Sequence, residues 1–342
     1  MMSGPSGAVR IAVAGSGAMS RYHVHRFGAL NGVTLAGCYD RSIERATALA
    51  REFSGDSAFD DIGELLDQVR PDALSVATAD SQHYELTAAA IKRAVPVFLE
   101  KPFTVDVVQA EHLVTLQQRY QVPIMVNFSK INYPAVWGLI NAVDAGAVGQ
   151  LRELELHYMQ SWLISDVWGV WWREPRWLWR ISSSHGGGGA LRDLGSHLIY
   201  LALRLAGDAT SVSVTTAITA DRREAGGSGY SCDMNDRFGV ELGFSGGAVA
   251  RITGSYAEPG CINRVYVKAI GTRGSVEVSA EKQKGLLRLC RGGQNREFKF
   301  AKVHSTYSAF VSGLSTAEPW QGFRPSARDG LAVQRLLSGV LA

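Results

Sequence analysis

Between residues 9 and 128, short apolar runs alternate with helix-periodic segments. Strand candidates fall at 9–14, 33–39, 73–78, 97–99 and 124–128. Helical spacing runs over 18–30, 43–53, 62–69, 83–93 and 105–120. The strands are apolar on both faces, which predicts a parallel sheet covered on each side by helices. Right-handed crossovers follow from strand twist.

After Asn132 the rhythm changes. A helix at 134–145 leads to a strand near 152–158, then a tryptophan-rich stretch, a glycine run and another helix from about Leu191. Beyond Gly207, strand follows strand at 211–219, 237–244, 248–256, 265–271, 275–278, 286–290 and 297–300, with turns such as Ser245-Gly246-Gly247 between them. Helices near 307–314 and 326–341 finish the chain. A mostly antiparallel sheet with helices on one face fits this half. The 342 residues are enough for two cores, with the division expected at residues 1–130 and 131–342.

The formal charge of +3 is too small at this length to indicate nucleic-acid binding. Cys38, Cys232, Cys261 and Cys290 lack metal-ligand spacing and read as isolated thiols of a reducing compartment. The N-terminal stretch at 1–7 is short and polar and is expected to fray. No apolar stretch has the length or flanks of a signal peptide or membrane span, so a cytoplasmic enzyme is expected, without nucleic-acid or membrane partners. No metal site is expected, since His23 and His25 have no third ligand nearby in sequence.

Gly15-Ser16-Gly17-Ala18-Met19-Ser20 joins the first strand to the first helix. Gly15 suits the tight turn, and Gly17 lets a pyrophosphate approach the helix N-terminus. Ser20 stands where the fingerprint has its third glycine. Asp40 ends the second strand about 20 residues on, where an acid bonds an adenosine ribose. Its charge favours NAD, while Arg41 leaves NADP open, because a guanidinium there could stack on adenine or meet a 2′-phosphate.

Glu100-Lys101-Pro102 follows the fifth strand at its carboxyl end, where open α/β sheets bind ligands. Pro102 restricts Lys101 to extended backbone, and a lysine there could stabilise charge on a substrate oxygen. Further on, Asp193 and His197 sit four residues apart just after the run Gly186-Gly187-Gly188-Gly189. On a helix they would share one face.

In these motifs the chain resembles the glucose–fructose oxidoreductase / inositol dehydrogenase / MocA family. The features that carry the likeness are Gly15-Ser16-Gly17 with His23 downstream, the stretch Thr78-Ala79-Asp80-Ser81-Gln82-His83, Glu100-Lys101-Pro102, and the segment from Gly187 to His197. The resemblance implies a Rossmann domain, an α+β domain on a large open sheet, and a homodimer or homotetramer built on that sheet. It implies nicotinamide-dependent oxidation or reduction of a sugar, cyclitol or related polyol. By the same analogy Lys101, Asp193 and His197 form the catalytic set. His197 would take the hydroxyl proton, Asp193 would orient the hydroxyl or the imidazole, and Lys101 would stabilise the oxyanion. Gly15, Gly17, Ala18, Met19, Asp40, Arg41, Thr78, Ala79, His83, Glu100 and Lys101 would hold the dinucleotide. The chain departs from the family pattern at Ser20, at Asp80 where proline is common, and at Lys130 where arginine is common. Lys130 reads as a substrate contact or a domain-boundary charge. Two alternative readings stand beside the dehydrogenase: a catalytically silent sugar or dinucleotide sensor, and a dihydrodiol-type dehydrogenase.

Six of the eight tryptophans lie between Trp162 and Trp179, with Arg173, Arg176 and Arg180 among them. Such a segment packs a loop or subunit contact, or it forms a pocket wall. In the second case Trp177, Arg176 and Arg180 contact substrate.

Overall fold

The computed structural model describes residues 8–53, 57–281, 284–299, 305–314 and 325–341. The polar stretch at 1–7 and Phe300, the expected end of the last strand, lie outside the described residues. The chain divides into two units, one of Met1–Asn127 with Ser305–Gln334, the other of Phe128–His304 with Arg335–Ala342. The first therefore takes in a C-terminal segment that the sequence division at residue 130 does not include.

In the first unit, β1 (Val9–Ala14), β2 (Val33–Tyr39), β3 (Ala58–Phe59), β4 (Ala73–Val76), β5 (Val97–Leu99) and β6 (Ile124–Val126) alternate with α1 (Ala18–Gly28), α2 (Ile43–Glu52), α3 (Ile62–Val69), α4 (His83–Ile91) and α5 (Val107–Tyr120). The strands pair in parallel in the order β3-β2-β1-β4-β5-β6. This is the doubly wound arrangement, in which strand order reverses beside β1 and opens a crevice at the carboxyl ends. Three of these helices start where a side chain satisfies a first-turn N–H group. Ser42 caps α2, Asp61 caps α3 and Asp106 caps α5. β4, β5 and β6 are buried along their whole length, the signature of a sheet covered on both faces.

The second unit holds α6 (Pro134–Asp144), β7 (Leu151–Met159), α7 (Pro175–Leu178), α8 (Ser196–Ala206), and β8 (Ala209–Ala217), β9 (Arg237–Phe244), β10 (Val249–Ser255), β11 (Arg264–Gly271), β12 (Gly274–Glu281), β13 (Lys284–Arg291) and β14 (Gln294–Lys299). They form one eight-stranded sheet in the order β14-β13-β12-β11-β7-β10-β9-β8. Only the β7–β10 pair is parallel; every other pair is antiparallel. Burial alternates along β7, β9 and β11, as a sheet with one face packed requires. Leu154, Leu156, Val240, Leu242, Ile252, Val265 and Val267 line the buried face. α6 packs on β12 and β13, and α8 on β7 and β10. Burying each such side chain contributes about 1.5–3 kcal/mol.

The chain ends with α9 (Thr306–Leu314) and α10 (Ala327–Leu337). α9 delivers Tyr307 and Phe310 to an aromatic cluster with Phe27, Phe98 and Met125, deep in the first unit. Ser326 makes an antiparallel bridge to Met125. A returning segment thus completes the core of the first sheet.

Candidate active site

In the first unit, β1 runs into a turn whose shape depends on Gly15. Its φ is +100°, and a Cβ there would stand 2.7 Å from the Ala77 carbonyl oxygen. Ser20, buried in the place of the third glycine, donates to that same oxygen at 3.1 Å. A small residue is needed there, and a hydroxyl with a carbonyl partner meets the need. Gly17 heads α1, makes no side-chain cap and has open space where a Cβ would go. The first N–H groups of α1 therefore meet an uncovered approach, the arrangement that receives a phosphate. Ala18 and Met19 lie exposed on that first turn.

Asp40 closes β2. Its Oδ2 accepts from Ser16 Oγ at 2.5 Å and its Oδ1 from the backbone N–H of Ser42 at 3.1 Å. Arg45 reaches back from the first turn of α2 to Ser16 Oγ at 3.2 Å, with a guanidinium nitrogen 3.5 Å from Asp40. Arg41 is exposed. Turn, helix terminus and acid together fit a dinucleotide, with the pyrophosphate on α1 and the ribose at Asp40.

Thr78 and Ala79 follow β4, with Thr78 half-buried and Ala79 exposed. His83 is fully buried, and its Nδ1 donates to the Pro102 carbonyl at 2.8 Å. Glu100 turns its carboxylate inward. Oε1 accepts from His23 Nε2 at 2.9 Å and from Asn127 Nδ2 at 2.6 Å. Burial pushes the Glu100 carboxyl up, but the His23 bond, the charges of His23 and Lys101, and the Asn127 bond outweigh it and hold it below the ordinary range. Lys101 is half-buried, and its peptide bond to Pro102 is cis.

In the second unit, Leu191–Gly195 is a π-helical turn that runs directly into α8. The sequence predicts ordinary helix from Leu191; instead the bonding widens to i→i+5 where Asp193 sits. The turn is held from outside, because Asn235 accepts the N–H of Ala190 on its carbonyl and that of Leu191 on its side chain, both at 2.9 Å. A Cβ at Gly187 would collide with the Trp179 carbonyl, so the glycine run allows the tryptophan segment to lie against it.

Asp193 is partly exposed. Tyr256 donates to its Oδ2 at 2.8 Å, and Arg180 Nε stands 3.8 Å from the same oxygen. His197 is buried at the start of α8, its ring 6.1 Å from that of Tyr158. The ammonium of Lys130 lies over the other aromatic faces, 4.8 Å from the Tyr158 ring centre and 4.9 Å from that of Tyr133, and donates to the Tyr133 hydroxyl at 3.1 Å. Burial pushes the Tyr158 phenol up to about 12 despite the Lys130 charge. Burial and the Asp193 charge push Tyr256 well above its usual value, so both phenols stay protonated donors at neutral pH.

Trp162 and Trp171 are core side chains, 1% and 2% exposed. Trp177 is half-buried between Trp162 and Trp168, with centroids at 5.6 and 5.4 Å. Arg180 stacks on Trp177 and Trp179 at 5.0 and 4.9 Å, and so joins the tryptophans to Asp193. Arg176 is exposed and pairs with Glu174. Trp177, Arg180, Asp193 and Tyr256 are thus gathered in one cluster, while Lys130, Tyr158 and His197 form a second chain of contacts in the same unit.

Sequence reasoning missed Tyr158, Tyr256 and Asn235. Tyr158 lies near the carboxyl end of β7, opposite Gly254, and Tyr256 directly follows β10, the parallel neighbour of β7. That relation is readable only once the pairing is known. Among the described residues, no group of three or more His, Cys, Asp or Glu side chains could hold a metal ion. Among the same residues, no helix is long and apolar enough to cross a membrane.

A doubly wound sheet with a glycine turn at its switch point defines a dinucleotide-binding domain of the Rossmann class. Residues 9–128 match the oxidoreductase family with NAD-binding Rossmann fold, and residues 139–277 match the GFO/IDH/MocA C-terminal domain. The chain belongs to the Gfo/Idh/MocA oxidoreductase family. It is 32% identical over 128 residues to UDP-N-acetylglucosamine 3-dehydrogenase of Acidithiobacillus ferrooxidans, covering 37% of this chain and 39% of that one. It is 24% identical over 254 residues to levoglucosan dehydrogenase of Pseudarthrobacter phenanthrenivorans, covering 70% and 63%. The matches thus span less than two thirds of the length of these curated relatives. Its fold is similar to that of an inositol dehydrogenase homolog of Azotobacter vinelandii solved with NAD+, at a TM-score of 0.84 and 17% identity, covering 98% and 95%.

Proposed function

We propose that this chain is an NAD-dependent dehydrogenase that acts on a secondary alcohol of a sugar, cyclitol or related polyol, with NADP as the second candidate cofactor. The observation that carries this reading is the cluster of Asp193, Tyr256 and Arg180 one turn from the buried His197, in a chain whose other unit has the glycine turn and Asp40. The named activities of the relatives support the substrate class.

The first N–H groups of α1, the Gly15–Met19 turn and Asp40 would hold the dinucleotide, with Arg41, Thr78 and Ala79 at its edges. His83 and Glu100, whose side chains are buried, contribute through the backbone they hold. Bound nicotinamide supplies the acceptor for a hydride. His197 takes the proton of the reacting hydroxyl, a task suited to imidazole near neutral pH. Asp193, fixed by Tyr256, accepts a hydrogen bond from a substrate hydroxyl and so orients it. Lys101 donates to the reacting oxygen and offsets the charge that develops there. Lys130, Trp177, Arg176 and Arg180 contact the polyol, with Arg180 nearest to Asp193.

Residues 1–130 serve as the dinucleotide-binding domain and 131–342 as the substrate-binding and oligomerisation domain, with Ser305–Gln334 completing the core of the first. The open eight-stranded sheet suits a homodimer or homotetramer. Four unpaired cysteines suit the cytoplasm. The test is absorbance of reduced nicotinamide with NAD+ and a panel containing myo-inositol, levoglucosan and UDP-N-acetylglucosamine. Turnover abolished in Lys101→Ala and His197→Ala is the expected result. Equal turnover in both variants, or none with any polyol, overturns the reading.

A further inference from the structure

The tripeptide Glu100-Lys101-Pro102 is gripped on both sides by buried histidines. Before Lys101, His23 from α1 donates through Nε2 to Glu100 Oε1 at 2.9 Å, and Ser75 Oγ lies 2.8 Å from the other ring nitrogen. Asn127 donates to the same carboxylate oxygen at 2.6 Å and accepts from Thr306 Oγ at 2.9 Å. The second oxygen, Oε2, accepts the backbone N–H of Lys101 at 3.2 Å. After Lys101, His83 from α4 donates through Nδ1 to the Pro102 carbonyl at 2.8 Å. His23, Ser75, His83 and Asn127 are all 0% exposed. A buried polar chain of this kind costs desolvation wherever a member lacks its partner.

We propose that His23 and His83 are positioning residues that fix the backbone of Lys101, one through the Glu100 carboxylate and the other through the Pro102 carbonyl. The inference rests on the reading that Lys101 donates to the reacting oxygen. Four parts of the first unit meet in this clamp. α1, which begins at the glycine turn, supplies His23; α4 supplies His83; Asn127 directly follows β6, and Thr306 opens α9. The charged and titratable groups that face Glu100 are His23, Lys101 and Tyr307. With the clamp in place, the direction of Lys101 is set before substrate arrives. Displacing a catalytic group by about 1 Å costs on the order of a hundredfold in rate.

The experiment compares leucine and amide variants. The side-chain nitrogen of glutamine reaches where the His23 Nε2 stands, and that of asparagine where the His83 Nδ1 stands. His23→Leu and His83→Leu should lower kcat by about tenfold to a hundredfold. His23→Gln and His83→Asn should recover most of the loss. The unliganded protein gives a second readout. In His23→Leu, Glu100 loses the partner that holds its carboxyl down, so a protonated-carboxyl infrared band should appear at higher pH than in the wild type. That band should be missing from Glu100→Gln. Folded leucine variants with wild-type kcat and no new band overturn the clamp. Should the leucine variants not fold, a folded Glu100→Gln protein with full kcat overturns it instead. Lys101→Met separates the two claims. Full turnover there removes the reading of Lys101 and the clamp with it, whereas loss there with none in the histidine variants overturns the clamp alone.

Discussion

The Tyr256 hydroxyl donates to Oδ2 of Asp193 across 2.8 Å, from a side chain that is 0% exposed, and its oxygen lies 3.3 Å from the Gly189 carbonyl. One phenol at the end of β10 thus orients the carboxylate of the π-turn and stands against the glycine run before it. A hydrogen bond to a charged partner contributes about 1.5–3 kcal/mol. Tyr256→Phe should lower stability by about that amount in urea unfolding and lower kcat more than it changes NAD+ affinity. Unchanged stability and kcat would mean that Asp193 keeps its position without the phenol.

Beneath the same turn, Asp236 is wholly buried and anchors the loop that carries Asn235. It accepts from the N–H groups of Thr219 and Ala220, from the Thr219 hydroxyl, and from Arg222 at 2.7 Å. Burial pushes its carboxyl up, but the Ala220 N–H, the Thr219 hydroxyl and Arg222 outweigh burial, so the folded value is depressed. A depressed carboxyl contributes stability that is complete above the unfolded value near 3.9 and is lost as pH falls through the folded one. Asp236→Asn should cost about 3–5 kcal/mol at neutral pH, because Arg222 is left buried without its anion. The variant's Tm should also fall less steeply than the wild type's below about pH 4. Parallel Tm curves over that range would contradict the assignment.

The doubly wound sheet was legible because burial on both faces leaves continuous apolar runs. β1, β2 and β5 begin and end where those runs do. β3 was not legible, since two residues carry no periodicity. The segment Ser305–Gln334 was legible as helices but not as part of the first unit. An apolar stripe shows that a face is buried and does not show against what. At the candidate site, the glycine turn and the place of Asp40 at the end of the second strand could be read because each answers a local need; the helix that carries His197 could be read as well, but not the π-turn that carries Asp193. The place of Glu100 after the fifth strand is local, but its inward turn toward His23 depends on a contact 77 residues away in sequence. The π-turn at Asp193 likewise depends on Asn235, which no local pattern singles out.

Gly15 and Gly17 should respond differently to a side chain. Gly15→Ala combines a φ of +100° with a Cβ placed 2.7 Å from the Ala77 oxygen, so it should cost more than about 1 kcal/mol and lower Tm. Gly17→Val meets open space in ordinary extended backbone, so Tm should hold while NAD+ affinity falls about tenfold or more. Calorimetric titration alongside thermal unfolding separates the two effects. Undiminished NAD+ affinity in Gly17→Val would place the pyrophosphate elsewhere.

In the tryptophan segment, the Arg180 side chain is 27% exposed and reaches Asp193, whereas that of Arg176 is 66% exposed and is held by Glu174. Arg180→Ala and Trp177→Ala should therefore raise the KM for the polyol by about tenfold, with a smaller rise in Arg176→Ala and little change in NAD+ affinity for any of them. Unaltered polyol KM in the first two variants would make the segment a packed loop alone.

On the proposed reading, Asp40 sets the choice of cofactor. Its carboxylate already accepts from Ser16 and Ser42, and Arg45 stands 3.5 Å away. A ribose diol can bond the remaining lone pairs, while a 2′-phosphate would meet an anion there. The same phosphate would find Arg41 and Arg45 close by, so only one charge opposes it. Asp40→Ser removes that charge and keeps a hydroxyl for the ribose. The ratio of kcat/KM for NADP+ over NAD+ should rise by about a hundredfold, mostly through KM for NADP+. Adding Arg45→Ala to Asp40→Ser should take back much of that gain, because the guanidinium would then be missing from the phosphate. A ratio unmoved by Asp40→Ser would show that the ribose does not lie at the end of β2.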